Sequence, residues 1–229
     1  MVNKFLDSAA AAVADLPDGA TVMIGGFGTA GMPAALINAL IDQGARELVV
    51  VNNNAGNGET GLAALLKARR VRKIICSFPR QSDSQVFDGL YRAGEIELEL
   101  VPQGNLACRI EAAGAGLGAV YTPTGFGTLL AAGKETREFG GRSYVLELPI
   151  HADVALIKAH RADRWGNLTY RKSARNFGPI MARAARTTIV QADHLVELGE
   201  IDPEAVVTPG IFVQRVVHVL RDDQLAPAA

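Results

Sequence analysis

The sequence predicts an α/β fold, an open and mostly parallel sheet with helices on both faces. Two observations carry this. A short β-branched run, then a Gly- or Asn-rich turn, then a helical pattern recurs through the first half, as in successive βαβ units. The run Leu48-Val49-Val50-Val51 has no apolar–polar alternation, as expected of a strand covered on both sides.

Taken in order, an N-terminal helix is expected over Lys4–Ala14, closed by the turn Pro17-Asp18-Gly19. Strands follow at Thr21–Ile24, Glu47–Val51, Lys73–Ser77 and Ile96–Val101, separated by helices at Pro33–Gln43, Thr60–Arg69 and Ser82–Ala93. Ser82 and Asp83 are suited to cap the last of these. Beyond Thr122 the character changes. Arg142–Pro149 and Val154–Ala159 read as strands, Arg164–Tyr170 as a hairpin around Trp165-Gly166-Asn167, Pro179–Ala185 as a helix and Thr187–Gln191 as a strand. The expectation is one sheet continued with an antiparallel excursion, in a single domain over residues 1–229.

The chain has 229 residues, with 23 Lys+Arg against 24 Asp+Glu and a net charge of −1. That balance argues against nucleic acid or an anionic membrane as partner. Cys76 and Cys108 cannot form a disulfide framework and read as buried thiols of a reducing compartment. No signal peptide is expected, because Asp7 and Asp15 bracket too short an apolar run. The apolar stretch Val22–Ile41 is broken by glycines and Pro33, so it reads as strand, turn and helix rather than a membrane span. A cytoplasmic protein is the expectation.

The sharpest local feature is the segment from Asp18 to Pro33, a strand that ends in glycines before a helix opens at Pro33. Gly25, Gly26, Phe27, Gly28, Thr29, Ala30 and Gly31 would let a backbone approach a ligand, with the N–H groups of the helix start facing negative charge. A plain tight turn is the alternative. Gly26, Gly28 and Gly31 also spell a dinucleotide-binding pattern. However, the second strand ends in Asn52-Asn53-Asn54 where a ribose-binding acid belongs, so the fingerprint is incomplete.

Asn53 and Asn54 follow the second strand and Gln103 the fourth, all at carboxyl ends, where open sheets bind ligands. Their amides donate without adding charge, although turn-forming and helix-capping roles remain open. Arg80 follows the third strand and is expected beside the glycine turn. It has the fork that suits a carboxylate, with a surface ion pair as the alternative. His151, His160, His194 and His218 show no metal spacing, and no metal site is expected. Between Lys158 and Arg186 there are eight Lys/Arg and one acid, Asp163. This stretch suits a subunit interface or solvated face, or a nearby phosphate-bearing ligand.

The strings DGATVMIGGFGTAGMP, NNNAGNGE, SFPRQSDSQVFDGLYRAGEIELELVPQGNLA, YTPTGFGT, GKETREF and DRWGNLTYRKSARNFGPIMA resemble the A subunit of the two-subunit 3-oxoacid CoA-transferases, from Asn3 to about Val219. SFPRQSDS tilts the likeness toward members acting on 3-oxoadipate, in aromatic-compound catabolism by the β-ketoadipate route. The resemblance implies a CoA-transferase-like fold, with succinyl-CoA and 3-oxoadipate converted to succinate and 3-oxoadipyl-CoA. It implies no cofactor, coenzyme A being a substrate.

In this family a glutamate of the B subunit, in a Glu-Asn-Gly-type motif, attacks the thioester. This chain has no Glu-Asn pair, so the resemblance implies a half-enzyme without the nucleophile, in an A2B2 hetero-oligomer. Gly25 to Gly31 match the segment assigned to CoA, and Gln103, Asn53 and Asn54 match neutral donors at the reacting carbonyl or carboxylate. Losing such a donor typically costs about 3 kcal/mol of barrier. Arg80 is our own assignment, to the distal carboxylate of a dicarboxylic acceptor. Rival readings are a transferase for acetoacetate or another short-chain acid, a nucleotide-binding oxidoreductase, and a non-catalytic binding module.

Overall fold

The computed structural model describes residues 2–219. The single-domain expectation also covers residues 1 and 220–229, which lie outside the described residues.

Strand and helix alternate as the sequence suggests. The elements of the first half are β1 (Phe5–Leu6), α1 (Ala9–Val13), β2 (Thr21–Ile24), α2 (Ala34–Gln43), β3 (Leu48–Val51), α3 (Leu62–Lys67), β4 (Val71–Cys76), α4 (Gln85–Arg92), β5 (Glu97–Leu100) and α5 (Gln103–Ala115). The second half adds β6 (Val120–Thr122), β7 (Thr136–Phe139), β8 (Arg142–Glu147), β9 (Ala152–Asp163), β10 (Leu168–Thr169), α6 (Gly178–Ala184), β11 (Ala185–Val196) and β12 (Arg215–His218).

The main sheet runs β1-β12-β11-β9-β2-β3-β4-β5 with every neighbour parallel, and β10 adds antiparallel to β9. Side-chain alternation divides each strand between two layers. Leu48 and Val50 join Leu36, Leu40, Leu62 and Phe87 beneath α1 to α4. Val49 and Val51 join Leu106, Ile110 and Met181 beneath α5 and α6. Both faces of β3 are therefore covered, which explains its uninterrupted apolar run.

Four expectations need correction. The N-terminal helix begins only at Ala9, capped by the Ser8 hydroxyl, because Phe5 and Leu6 instead pair with Val216 and Val217 as a parallel edge strand. Arg142–Glu147 does not extend the main sheet. It is the centre of a separate antiparallel sheet, β6-β8-β7, whose strand β7 is exposed throughout. Residues 103–115, left unassigned between the fourth strand and Thr122, form α5, which closes the second layer over Val101 and Ile150. Cys108 is half-buried, unlike Cys76.

The hairpin after β9 has a local cause. Buried Asp163 accepts the backbone N–H groups of Trp165 and Asn167 and the Asn167 amide, and so folds the chain back onto itself.

From β2 the chain adds β3, β4 and β5 outward on one side, whereas β9, β11 and β12 build the other side. The order therefore reverses between β2 and β9. In an open parallel sheet the crevice outside the carboxyl ends at such a reversal is where ligands bind.

Candidate functional site

The turn at this reversal is the glycine segment. Gly25 continues the pairing of β2 by donating to Leu156 O at 2.9 Å. Phe27 and Ala30 then close a tight loop through reciprocal backbone bonds of 3.0 and 3.2 Å, with Phe27 and Thr29 exposed at its tip. Gly31 is required twice over. Its φ is +76°, and a Cβ there would sit 2.5 Å from Ala174 O.

One side chain from far along the chain holds this turn in place. Asn176 accepts from Gly26 N at 3.2 Å and donates to Ala30 O at 2.9 Å and Ser173 O at 2.8 Å. The helix behind the turn lacks a cap of its own, since Pro33 supplies none. Its Ala35 N–H donates instead to Gln191 Oε1 of β11 at 3.0 Å, while Gln191 Nε2, fully buried, has no partner among the described residues.

The asparagines after β3 are buried and engaged. Asn52 Nδ2 donates to Ile24 O at 2.5 Å and so fastens the end of β3 to the start of the glycine turn. Asn53 Oδ1 accepts the Ser77 hydroxyl at 2.7 Å, and Asn54 Oδ1 accepts Gly56 N at 2.8 Å. Asn54 Nδ2 is different. It is buried with no partner among the described residues, a state that costs about 1–3 kcal/mol. It shares this state with Gln191 Nε2 on the far side of the glycine turn.

Gln103 and Arg80 are placed otherwise. Gln103 is the exposed first residue of α5, and no hydrogen bond joins it to Asn53 or Asn54 among the described residues. Three strand steps, roughly 14 Å, separate β5 from β2. Arg80 is not beside the glycine turn, because β3 lies between β4 and β2. It is exposed, and its Nε meets Asp88 at 2.7 Å. Ser82 and Asp83 do not cap α4 with their side chains. Its cap position is Ser84, while the Ser82 hydroxyl and the Asp83 N–H both meet Asn57 Oδ1.

The carboxyl edge thus presents a row: the glycine turn, the asparagines, Ser77 with Arg80, and Gln103. Sequence reasoning missed three supporting residues, Asn52, Asn176 and Asn105. Buried Asn105, two residues beyond Gln103, donates to Thr124 O and Glu147 Oε1 and accepts from Thr122. Glu147 is also buried and meets Lys134 at 2.7 Å, and its bond from Asn105 ties the small sheet to the start of α5. The Asn52 role was foreshadowed by its place at a strand end. Asn105 and Asn176 carried no local signal.

On the opposite flank of the glycine turn lies an open cavity of about 600 Å³. Ala30 and Gly31 line it, together with residues 171–174 and side chains from the ends of β9, β11 and β12. Asn53, Asn54, Gln103 and Arg80 do not. Cys76 lies under the first layer, where burial pushes its thiol up to about 12, so it stays protonated and unreactive near neutrality. Among the described residues no cluster of His, Cys, Asp and Glu is placed to hold a metal ion, and no helix is long and apolar enough to cross a membrane.

Comparison with known proteins agrees with this fold. The Coenzyme A transferase family profile matches residues 6–219. The chain is 71% identical to the A subunit of the 3-oxoadipate CoA-transferase of Pseudomonas putida, over 96% of this chain and 95% of the relative. It is 51% identical to the A subunit of the succinyl-CoA:3-ketoacid coenzyme A transferase of Xanthomonas campestris, over 94% of this chain and 88% of the relative. An acyl-CoA transferase of Escherichia coli O157:H7, solved as a thioester complex with CoA, shares the fold with a TM-score of 0.84 at 24% identity. The match covers all of this chain and 49% of that one, so this chain spans about half of it. The chain belongs to the coenzyme A transferase family, on the side of its A subunits.

Proposed function

We propose that this chain is the A half of a two-subunit enzyme that moves CoA from succinyl-CoA to 3-oxoadipate. One observation carries the substrate. Identity to the 3-oxoadipate relative is 71%, against 51% for the 3-ketoacid relative, over nearly the same span.

The division of labour rests on what the chain lacks and what it presents. It has no Glu-Asn pair, and its relatives are named as A subunits of two-subunit transferases, so we assign the attacking carboxylate to a B subunit. That glutamate attacks the succinyl thioester carbonyl and expels CoA thiolate, giving a mixed anhydride. The thiolate then attacks the glutamyl carbonyl, releasing succinate and leaving a glutamyl–CoA thioester. The carboxylate of 3-oxoadipate repeats both steps in reverse and leaves as 3-oxoadipyl-CoA, with the glutamate regenerated. In each tetrahedral intermediate negative charge builds on one oxygen. Asn54 Nδ2, buried and uncommitted, is the donor of this chain best suited to it, with Asn53 and Gln103 on the same edge.

Gly25 to Gly31 bring backbone against the CoA chain. Arg80 takes the distal carboxylate, because its ion pair with Asp88 runs through Nε and leaves the two terminal nitrogens for a second anion. An A2B2 assembly, no cofactor and a cytoplasmic location complete the reading.

The test is an acceptor panel with the co-expressed B subunit. We expect succinyl-CoA to serve 3-oxoadipate far better than acetoacetate. Arg80→Ala raises KM for 3-oxoadipate by about tenfold, the scale of one charged hydrogen bond, and leaves acetoacetate unchanged. Preference for acetoacetate rejects the substrate, and equal losses for both acids reject the role of Arg80.

A further inference from the structure

The basic stretch between Lys158 and Arg186 is not a uniform surface. Three of its cations, Lys158, Arg171 and Lys172, border the same cavity of about 600 Å³ beside Ala30 and Gly31. Three imidazoles border it too, His160 from β9, His194 from β11 and His218 from β12.

The charges are unevenly matched. Lys158 meets Asp193 at 3.1 Å. Arg171 and Lys172 have no acidic partner among the described residues and stand exposed at the rim. His160 Nδ1 is sequestered from solvent yet lies 3.6 Å from Asp193 Oδ2, too far for a hydrogen bond. The imidazoles do not form a metal cluster. What remains is a roomy hollow with one acid and two permanent cations that no acid matches among the described residues.

The segment carrying those cations is built firmly against the glycine turn. Lys172 is held at φ +50°, which costs a non-glycine residue about 1 kcal/mol or more. The Asn176 amide bonds Ser173 O on one side and Ala30 O on the other. Arg171 and Lys172 are thus fixed relative to the backbone proposed to meet CoA.

This combination selects a phosphate-rich ligand. A small carboxylate would fill a minor part of the volume and use one cation, whereas a nucleotide bearing several phosphates uses both, and the Arg fork fits phosphate oxygens. The cavity flanks the glycine turn opposite Asn54, so a ligand with a thioester at one end and phosphates at the other spans the switch point. We infer that the cavity between residues 171–174 and the ends of β9, β11 and β12 binds the nucleotide phosphates of acyl-CoA, with Arg171 and Lys172 as the charged contacts. The inference rests on the CoA-transferase reading and adds where this half grips the donor.

The test separates the two. In the complex with its B subunit, Arg171→Ala/Lys172→Ala raises KM for succinyl-CoA by about tenfold or more. KM for succinyl-pantetheine, which lacks the nucleotide, moves less than about twofold. The conservative Arg171→Lys/Lys172→Arg pair retains most of the affinity. An equal rise with both thioesters, or an unchanged KM for succinyl-CoA, overturns the site. A wild-type complex that transfers no CoA defeats the functional reading instead. The site is then judged by calorimetric titration of adenosine 3′,5′-bisphosphate into the same complex. Saturable binding that the double alanine variant loses supports it, and no binding to wild type overturns it.

Discussion

Single residues decide how closely the backbone loops can approach. Gly28 and Gly31 both sit at positive φ in the glycine turn, but their surroundings differ. A Cβ on Gly28 would meet nothing within 4 Å, whereas one on Gly31 would strike the Ala174 carbonyl. Gly28→Ala therefore carries only the conformational cost, about 1 kcal/mol. Gly31→Ala adds displacement of the segment that carries Lys172. Thermal unfolding of the two variants measures this, with Gly28→Ala lowering Tm by about 3 °C and Gly31→Ala by at least about twice that. Equal losses would mean that the Gly31–Ala174 contact yields freely. The sequence signalled glycine here, since a strand followed by four glycines and a proline has few other uses. Which glycine is irreplaceable depends on residue 174, and no local pattern encodes that.

Elements were legible where their cause is local and obscure where it is distant. Strands β2 to β5 and their intervening helices follow from periodicity and from glycine and proline punctuation. In α5, Gly104 and Gly114 dilute the helical pattern before Gly116 ends it, and the helix is stabilised by packing on α6 and in the second core layer that the sequence does not display. Thr136–Phe139 is exposed on every residue, so β7 leaves no buried face for a pattern to report. Two-residue β1 exists only because β12 lies beside it. The same distance dependence governs the site. Asn52 to Asn54 stand out at a strand end, whereas Asn176 joins two loops 150 residues apart.

That clamp makes an element-scale prediction. Asn176→Ala removes bonds to Gly26, Ala30, Ser173 and Phe177, so the glycine turn loses its hold on residues 172–176. KM for succinyl-CoA is expected to rise about fivefold or more with a smaller change in kcat, and Asn176→Asp, which keeps the oxygen that accepts from Gly26 and Phe177 but loses the two donated bonds, should fall between. A lowered Tm with unchanged KM would assign Asn176 to stability alone.

At the scale of the molecule, the parallel sheet places every candidate group on one edge, and the strand reversal between β2 and β9 divides that edge in two. The asparagines, Gln103 and the Arg80–Asp88 pair lie on one side and Lys158, Arg171 and Lys172 on the other, with the glycine turn between them. The fold class was readable from the repeated strand–turn–helix units. The division of the edge was not, because it follows from strand order, and sequence patterns report strands without their neighbours. The carboxylates described along this edge are committed to cations, Asp193 to Lys158 and Asp88 to Arg80. Glu147, the one glutamate buried in the described residues, is held by Lys134 and Asn105. The account therefore requires that the covalent intermediate form on the other subunit. Intact-mass measurement of both subunits, after the complex is mixed with succinyl-CoA and quenched, tests this most directly. The account predicts a CoA adduct on the B subunit and none on this chain, and an adduct on this chain would contradict it.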